Sequence, residues 1–238
     1  MGEELLVLLV HGAWHGAWCW AGLQGELDAR GIPSLAIDLP GHGASTLPLG
    51  DLYGDAQHLV DVATGLDRPI RLVGHSYGGS VISEAAAKIP RATGLVFVAA
   101  FALNAGESTT AMASALPRQV ALNSAMRRRD DDCLVLDPTA VPALFAQCPP
   151  SVTAAALARL DPQPLATFTQ PSRNGFPSDL PSTYLVCLRD EAIHPDVQRL
   201  MAQRCHTIEE IDTDHSPYLS ATRETADAIA AAAGRSRV

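Results

Sequence analysis

No two cysteines in this chain stand in a C-x-x-C pair, basic residues are in deficit, and no apolar run approaches the length of a bilayer span. Each absence removes a class of function. The five cysteines, Cys19, Cys133, Cys148, Cys187 and Cys205, are odd in number and irregular in spacing. That disfavours a disulfide framework and a zinc site, and free thiols in a reducing cytoplasm are expected. Cys187 lies inside an apolar run and reads as core packing. The formal net charge of −9 opposes binding to nucleic acid or an anionic membrane, which call for a basic face. The one basic run, Arg127, Arg128 and Arg129, is followed at once by Asp130, Asp131 and Asp132 and reads as a self-neutralising, solvated turn. The first apolar stretch covers only residues 5–10, follows acidic residues and has no cleavage pattern. It reads as a buried strand. No low-complexity tract or long-period repeat is visible.

What is present fits an α/β protein. A chain of 238 residues suits one domain, and 47% hydrophobic content supplies a core. Apolar strand-like runs at 5–10, 34–37, 70–73, 95–99, 184–188 and 207–211 alternate with helical patterns at 18–30, 52–66, 79–88, 196–204 and 217–232. The strands do not alternate polar and apolar residues. That is the pattern of a mostly parallel, six-stranded sheet covered by helices on both faces. Residues from about 104 to 182 break the rhythm. Rich in Ala and Pro, with a helical patch at 151–160, they read as a helical cap inserted into a single domain of residues 1–238.

In open parallel sheets, sites form beyond the carboxyl ends of the strands. Ser76, Asp190 and His215 each follow a strand run, in that order. Ser76 is the centre of the G-x-S-x-G pattern in "VGHSYGG", between a strand and a helix. The glycines allow a turn too tight for bulky neighbours, which lifts the hydroxyl into the cleft. A serine hydroxyl needs a base, and His215 fits that role; afterwards it can protonate the leaving group. Asp190 would fix the imidazole tautomer, with Glu191, Asp212 and Asp214 as rivals. Ala13, in the "HGAW" loop, and Tyr77 would offer backbone N–H groups to a developing oxyanion.

Other residues carry weaker signals. His11 and His75 are expected to orient the two loops by hydrogen bonds. His15 and Trp14 are candidate pocket residues, with Met112, Leu116, Met126, Leu144, Phe145 and Phe168 from the cap. Trp18 and Trp20 read as core or rim, and the Tyr77 ring as a border of the pocket. His42, His58, His194 and His206 are expected to be structural or exposed. The histidines lack metal-ligand spacing, so no metal is proposed, and no cofactor is implied.

The pieces "LVHGAWHGAWCW", "DLPGHGAS", "VGHSYGG", "VFVAAF", "YLVCLRDEAIHPDVQRLMA" and "DTDHSPYLS" resemble the α/β-hydrolase superfamily. More narrowly, they resemble the group of plant methylesterases and hydroxynitrile lyases and its bacterial esterase relatives. The resemblance spans most of the chain outside the cap. It implies a triad at Ser76, Asp190 and His215 and oxyanion donors at Ala13 and Tyr77. In the resembling lyases a threonine follows the first-strand histidine and a lysine follows the catalytic one. Gly12 and Ser216 stand at those positions here, which favours an esterase. A serine at position 76 also disfavours epoxide hydrolases and dehalogenases, which use an aspartate nucleophile.

The function expected is hydrolysis of a small carboxylic ester through an acyl-enzyme on Ser76. A thioesterase, or an enzyme that eliminates or cyclises an acyl group, could use the same triad. A non-catalytic ligand-binding protein is the reading from another class. Activity should fall at low pH as His215 takes a proton. The partner expected is a small-molecule ester or thioester, with no nucleic acid and no membrane.

Overall fold

A computed structural model describes residues 4–234; the outermost residues of the expected 1–238 domain lie outside that range. Six parallel strands form the main sheet: β1 (Leu6–Val10), β2 (Ser34–Ile37), β3 (Ile70–His75), β4 (Ala92–Val98), β5 (Ser182–Cys187) and β6 (Thr207–Ile211). Their spatial order is β2-β1-β3-β4-β5-β6. The chain steps outward from β1 to β2, then returns past β1 to β3. The loops after β1 and β3 therefore part at one switch point, where a ligand crevice forms.

The missing alternation has a simple cause. All five residues of β1 are buried. Leu8 and Val10 pack with helices α2 (Leu52–Thr64) and α3 (Tyr77–Ala85) through Leu59, Val81 and Ile82. Val7 and Leu9 face the opposite layer, with Leu23 and Leu27 of helix α1 (Ala21–Ala29) and Ile229 of the Thr222–Ala232 helix. Successive side chains point to opposite faces, so a strand covered on both needs an unbroken apolar run. Each such burial contributes roughly 1.5–3 kcal/mol before the entropy of ordering is charged against it.

The inserted segment differs from the helical cap expected. It combines short helices with a three-stranded antiparallel sheet of Met126–Arg128, Cys133–Leu136 and Gln163–Pro164. The basic-acidic run forms the turn of the hairpin. Asp132 has φ 59°, and Arg127, Arg128 and Arg129 pair with Asp137, Asp132 and Asp131 at 2.7, 2.6 and 2.9 Å. These exposed pairs shape a turn and add little stability. The expected final helix is two, Pro217–Ser220 and Thr222–Ala232, broken at Ala221 (φ −141°, ψ 51°). All five cysteines are free, and no helix is long and apolar enough to cross a membrane among the described residues.

Candidate active site

Ser76 sits between the end of β3 and the start of α3, with φ 51° and ψ −120°. A non-glycine residue at positive φ costs of order 1–3 kcal/mol and persists only where its surroundings impose it. Here they do. The Ser76 N–H donates to Val98 O (3.3 Å), and its carbonyl accepts from Gly79 N–H (3.0 Å) and Phe101 N–H (3.1 Å). The turn is so tight that a Cβ at Gly78 would lie 2.4 Å from Val10 O and 2.7 Å from His11 O. Gly78→Ala should therefore cost about 2–3 kcal/mol, lowering the midpoint of thermal unfolding by roughly 5–10 °C. A midpoint equal to wild type would show that β1 yields easily.

The His215 ring lies beside this turn. His75 Nε2–H donates to the His215 carbonyl (2.8 Å), and the two rings are 4.6 Å apart. His215 Nδ1–H donates to Asp190 Oδ2 at 2.7 Å, with both side chains buried. Asp190 also accepts from Gln198 Nε2 (2.8 Å) on Oδ2, and from Ala192 N–H (2.7 Å) and Ile193 N–H (2.8 Å) on Oδ1. Four donors meet the oxygens of this buried side chain, so its burial leaves no polar atom without a partner.

The rivals have other partners. Asp214 accepts from Ser216 N–H, Ser220 Oγ and Gln147 N–H, so it pins the loop that carries His215. Asp212 forms an exposed pair with Arg189 at 2.5 Å. Glu191 is exposed.

The loop after β1 presses on Ser76. A Cβ at Gly12 would lie 2.9 Å from Ser76 Cβ and 2.7 Å from His75 Nδ1. Any side chain at position 12, a threonine included, would collide there. The next residue, Ala13, is buried, and neither its N–H nor that of Tyr77 is taken up by a hydrogen bond among the described residues. His11 fixes this loop. Its Nδ1–H donates to Gly12 O (2.8 Å), and its Nε2 accepts from Leu39 N–H (3.0 Å), which requires a neutral ring. Burial holds His11 neutral, with its pKa lowered to about 3, and pushes His75 well below the usual histidine range.

A cavity of about 250 Å³ opens beside Ser76. Trp14, Met126 and Phe168 line it, as the sequence suggests, and so do Phe101, Leu134 and Ile193. The other pocket candidates lie elsewhere. Leu144, at the end of the Val141–Leu144 helix, and Phe145, just past it, fill a separate buried cluster with Ala125, Ala156 and Ala192, where Phe145 meets the His15 ring. Met112 is buried in the main core against Arg204. Leu116 lines a neighbouring cavity of about 270 Å³. His15 is enclosed by Trp18, Phe145, Tyr218 and His75, and burial lowers its pKa to about 4. The Tyr77 ring is fully buried rather than on the rim. His42, expected to be structural or exposed, is buried and bonds Pro40 O through Nδ1 (3.0 Å).

The Tyr77 hydroxyl donates to Asp55 Oδ2 (2.7 Å), while Asp55 Oδ1 has no hydrogen-bond partner among the described residues. Burial raises the Asp55 pKa to about 7. Sequence reading missed this acid, which looks like any polar residue in the first turn of a helix. Its linkage sign is set by the raised value. Folding favours protonated Asp55, so its contribution is full below about pH 4 and is lost as pH rises towards 7. Asn at this position can still accept from Tyr77 without titrating. The stability of wild type relative to Asp55→Asn should thus fall by roughly 4 kcal/mol between pH 4 and 8. Chemical denaturation across that range reads it, and a flat difference would contradict it.

Among the described residues no cluster of His, Cys, Asp and Glu could hold a metal ion. Comparison with known proteins adds kinship to this geometry. A family model described as "Alpha/beta hydrolase family" matches residues 7–228. Methylesterase 2 of Arabidopsis thaliana is 30% identical over 251 residues, covering 95% of each chain. Alpha/beta hydrolase nvfD of Aspergillus novofumigatus is 28% identical over 232 residues, 90% of each chain. The solved structure of a pyrethroid hydrolase from Sphingobium faniae JZ-2 matches with a TM-score of 0.84 at 24% identity, over 97% of this chain and 98% of that one.

Proposed function

Because the chain belongs to the alpha/beta hydrolase family, we propose that it hydrolyses small carboxylic esters through an acyl-enzyme on Ser76. The observation that carries this reading is the buried 2.7 Å bond from His215 Nδ1–H to Asp190, on a loop tied to the residue before Ser76. With its Nδ1 proton committed to Asp190, His215 offers Nε2 as the base. It takes the Ser76 proton as Oγ attacks the ester carbonyl, then gives it to the departing alcohol. Water repeats the sequence on the acyl-enzyme and releases the acid. The N–H groups of Ala13 and Tyr77, free of other bonds, would receive the oxyanion; each such donor is worth on the order of 3 kcal/mol. The cavity beside Ser76 favours a compact apolar group on one side of the ester.

Methyl esters are the first substrates to try, since relatives named methylesterases cover nearly the whole chain. A matched panel of methyl esters, ethyl esters and thioesters of one apolar acid, followed by release of the acid, tests the reading. Oxygen esters should be turned over with kcat/KM above that for the thioester. Turnover of the thioester alone would replace the esterase reading with a thioesterase, and tight binding without turnover would point to a binding protein.

A further inference from the structure

Trp14 follows the proposed oxyanion donor Ala13 and holds a left-handed backbone, φ 65°. A bulky residue does not adopt that conformation unaided. Three polar groups of Trp14 are bound by the inserted segment. Its N–H donates to Gln163 Oε1 (3.0 Å), its carbonyl accepts from Asp161 N–H (2.8 Å), and its indole N–H donates to Leu134 O (2.9 Å). Gln163 and Thr167 are fully buried. The Gln163 amide donates to Thr167 Oγ1 (3.0 Å), and the Thr167 hydroxyl donates in turn to Pro164 O (2.6 Å). This orients the Gln163 carbonyl towards Trp14. One residue on, Phe168 packs its ring against both Trp14 (5.6 Å) and Tyr77 (6.0 Å). On the other side of Ala13, the Gly12 carbonyl accepts from His11 Nδ1 and from His15 N–H. The Gly12–Ala13 peptide is thus held by the core, and the Ala13–Trp14 peptide from both sides, its carbonyl accepting from His15 Nδ1–H (2.8 Å) and its N–H bound to the insertion.

We propose that Gln163 is a positioning residue for acyl transfer: oriented by Thr167, it holds Trp14 left-handed and so aims the Ala13 N–H at the oxyanion. This rests on the serine-hydrolase reading with Ala13 as a donor. Without the Gln163 carbonyl, the Trp14 N–H is buried with no acceptor. The loop then shifts at Trp14 to bring that N–H to an acceptor, and the Ala13 N–H, on the preceding peptide, is displaced with the loop. The loss falls on the transition state, because the oxyanion exists only there, while the ester still fills the same cavity. The insertion is therefore part of the catalytic geometry as well as a wall of the pocket.

Gln163→Met keeps the length and volume of the side chain and removes its acceptor and donor. Thr167→Val and Thr167→Ser remove and restore the supporting hydroxyl. The measurements are kcat and KM for a p-nitrophenyl ester and inhibition by two ketones. A trifluoromethyl ketone forms a tetrahedral adduct with an oxyanion; its methyl ketone counterpart does not. Gln163→Met should lower kcat roughly ten- to a hundred-fold and leave KM within about two-fold. It should weaken the trifluoromethyl ketone by the same factor as kcat and leave the methyl ketone unchanged. Thr167→Val should lose activity in the same pattern, and Thr167→Ser should recover most of it. Unchanged kcat in Gln163→Met, or equal weakening of both ketones, overturns the proposal. If Gln163→Met does not fold, the Thr167 pair decides by the same ratios, and equal kcat in the two overturns it. Failure of the underlying reading looks different: wild type would then not favour the trifluoromethyl ketone, or Ser76→Ala would keep its turnover.

Discussion

Ser76→Ala should lower kcat on the order of 10⁴- to 10⁶-fold while leaving the fold intact. The backbone of the turn is held by bonds to Val98, Gly79 and Phe101, and none of them uses the serine hydroxyl. An alanine can therefore occupy the same strained position, and the thermal midpoint should stay within a few degrees of wild type. What is lost is the only atom proposed to carry the acyl group. The proposed oxyanion donors and the cavity remain, so a residual acceleration over water of ~10³ is expected. Rapid mixing with p-nitrophenyl acetate separates the possibilities. Wild type should release a burst of p-nitrophenol before steady turnover, and the variant should show no burst and only slow release. Equal slow release from both proteins would remove Ser76 from the mechanism for this substrate.

Asp190→Asn should cost about 10⁴-fold in kcat, through tautomer choice rather than lost contact. The Oδ1 end of Asp190 faces two backbone N–H groups, from Ala192 and Ile193. An asparagine must turn its oxygen to that end. Its NH₂ then lands at the Oδ2 end, against Gln198 Nε2 and His215 Nδ1. Donating to Nδ1, it drives the imidazole proton onto Nε2, the atom proposed to accept from Ser76. Two NH₂ groups now oppose each other at Gln198, so a stability loss of roughly 1–3 kcal/mol should accompany the change. Asp212→Asn is the control. Asp212 meets only the exposed Arg189 in a surface pair, and its replacement should leave kcat unaltered. A larger loss from Asp212→Asn than from Asp190→Asn would contradict the assignment.

The sheet was legible because burial on both faces writes itself into the chain as unbroken runs such as 6–10 and 95–98. The turn at Ser76 was legible because glycines are required where β1 passes within van der Waals contact of it. The acid was narrowed only to a neighbourhood. Asp190, Glu191, Asp212 and Asp214 lie at the ends of adjacent strands, and a few ångströms of loop geometry decide which carboxylate meets the ring. The inserted segment was least legible. Its helices run for four, five or eight residues, too few turns for a hydrophobic period to reveal which side faces the cavity. Trp14, Met126 and Phe168 fall on the cavity while Leu144 and Phe145 do not, and composition does not distinguish them. Gln163 gave no signal at all, because its partner Trp14 lies 149 residues away in the chain.

The most direct test is to trap the acyl group. Wild type would be mixed with p-nitrophenyl acetate, quenched in acid during the burst, digested and mapped by mass spectrometry. An acetyl group on Ser76, absent from Ser76→Ala and from His215→Ala, is the result expected of an acyl-enzyme hydrolase. Sustained turnover with Ser76 unmodified at every quench time, or acetylation confined to another residue, would contradict it.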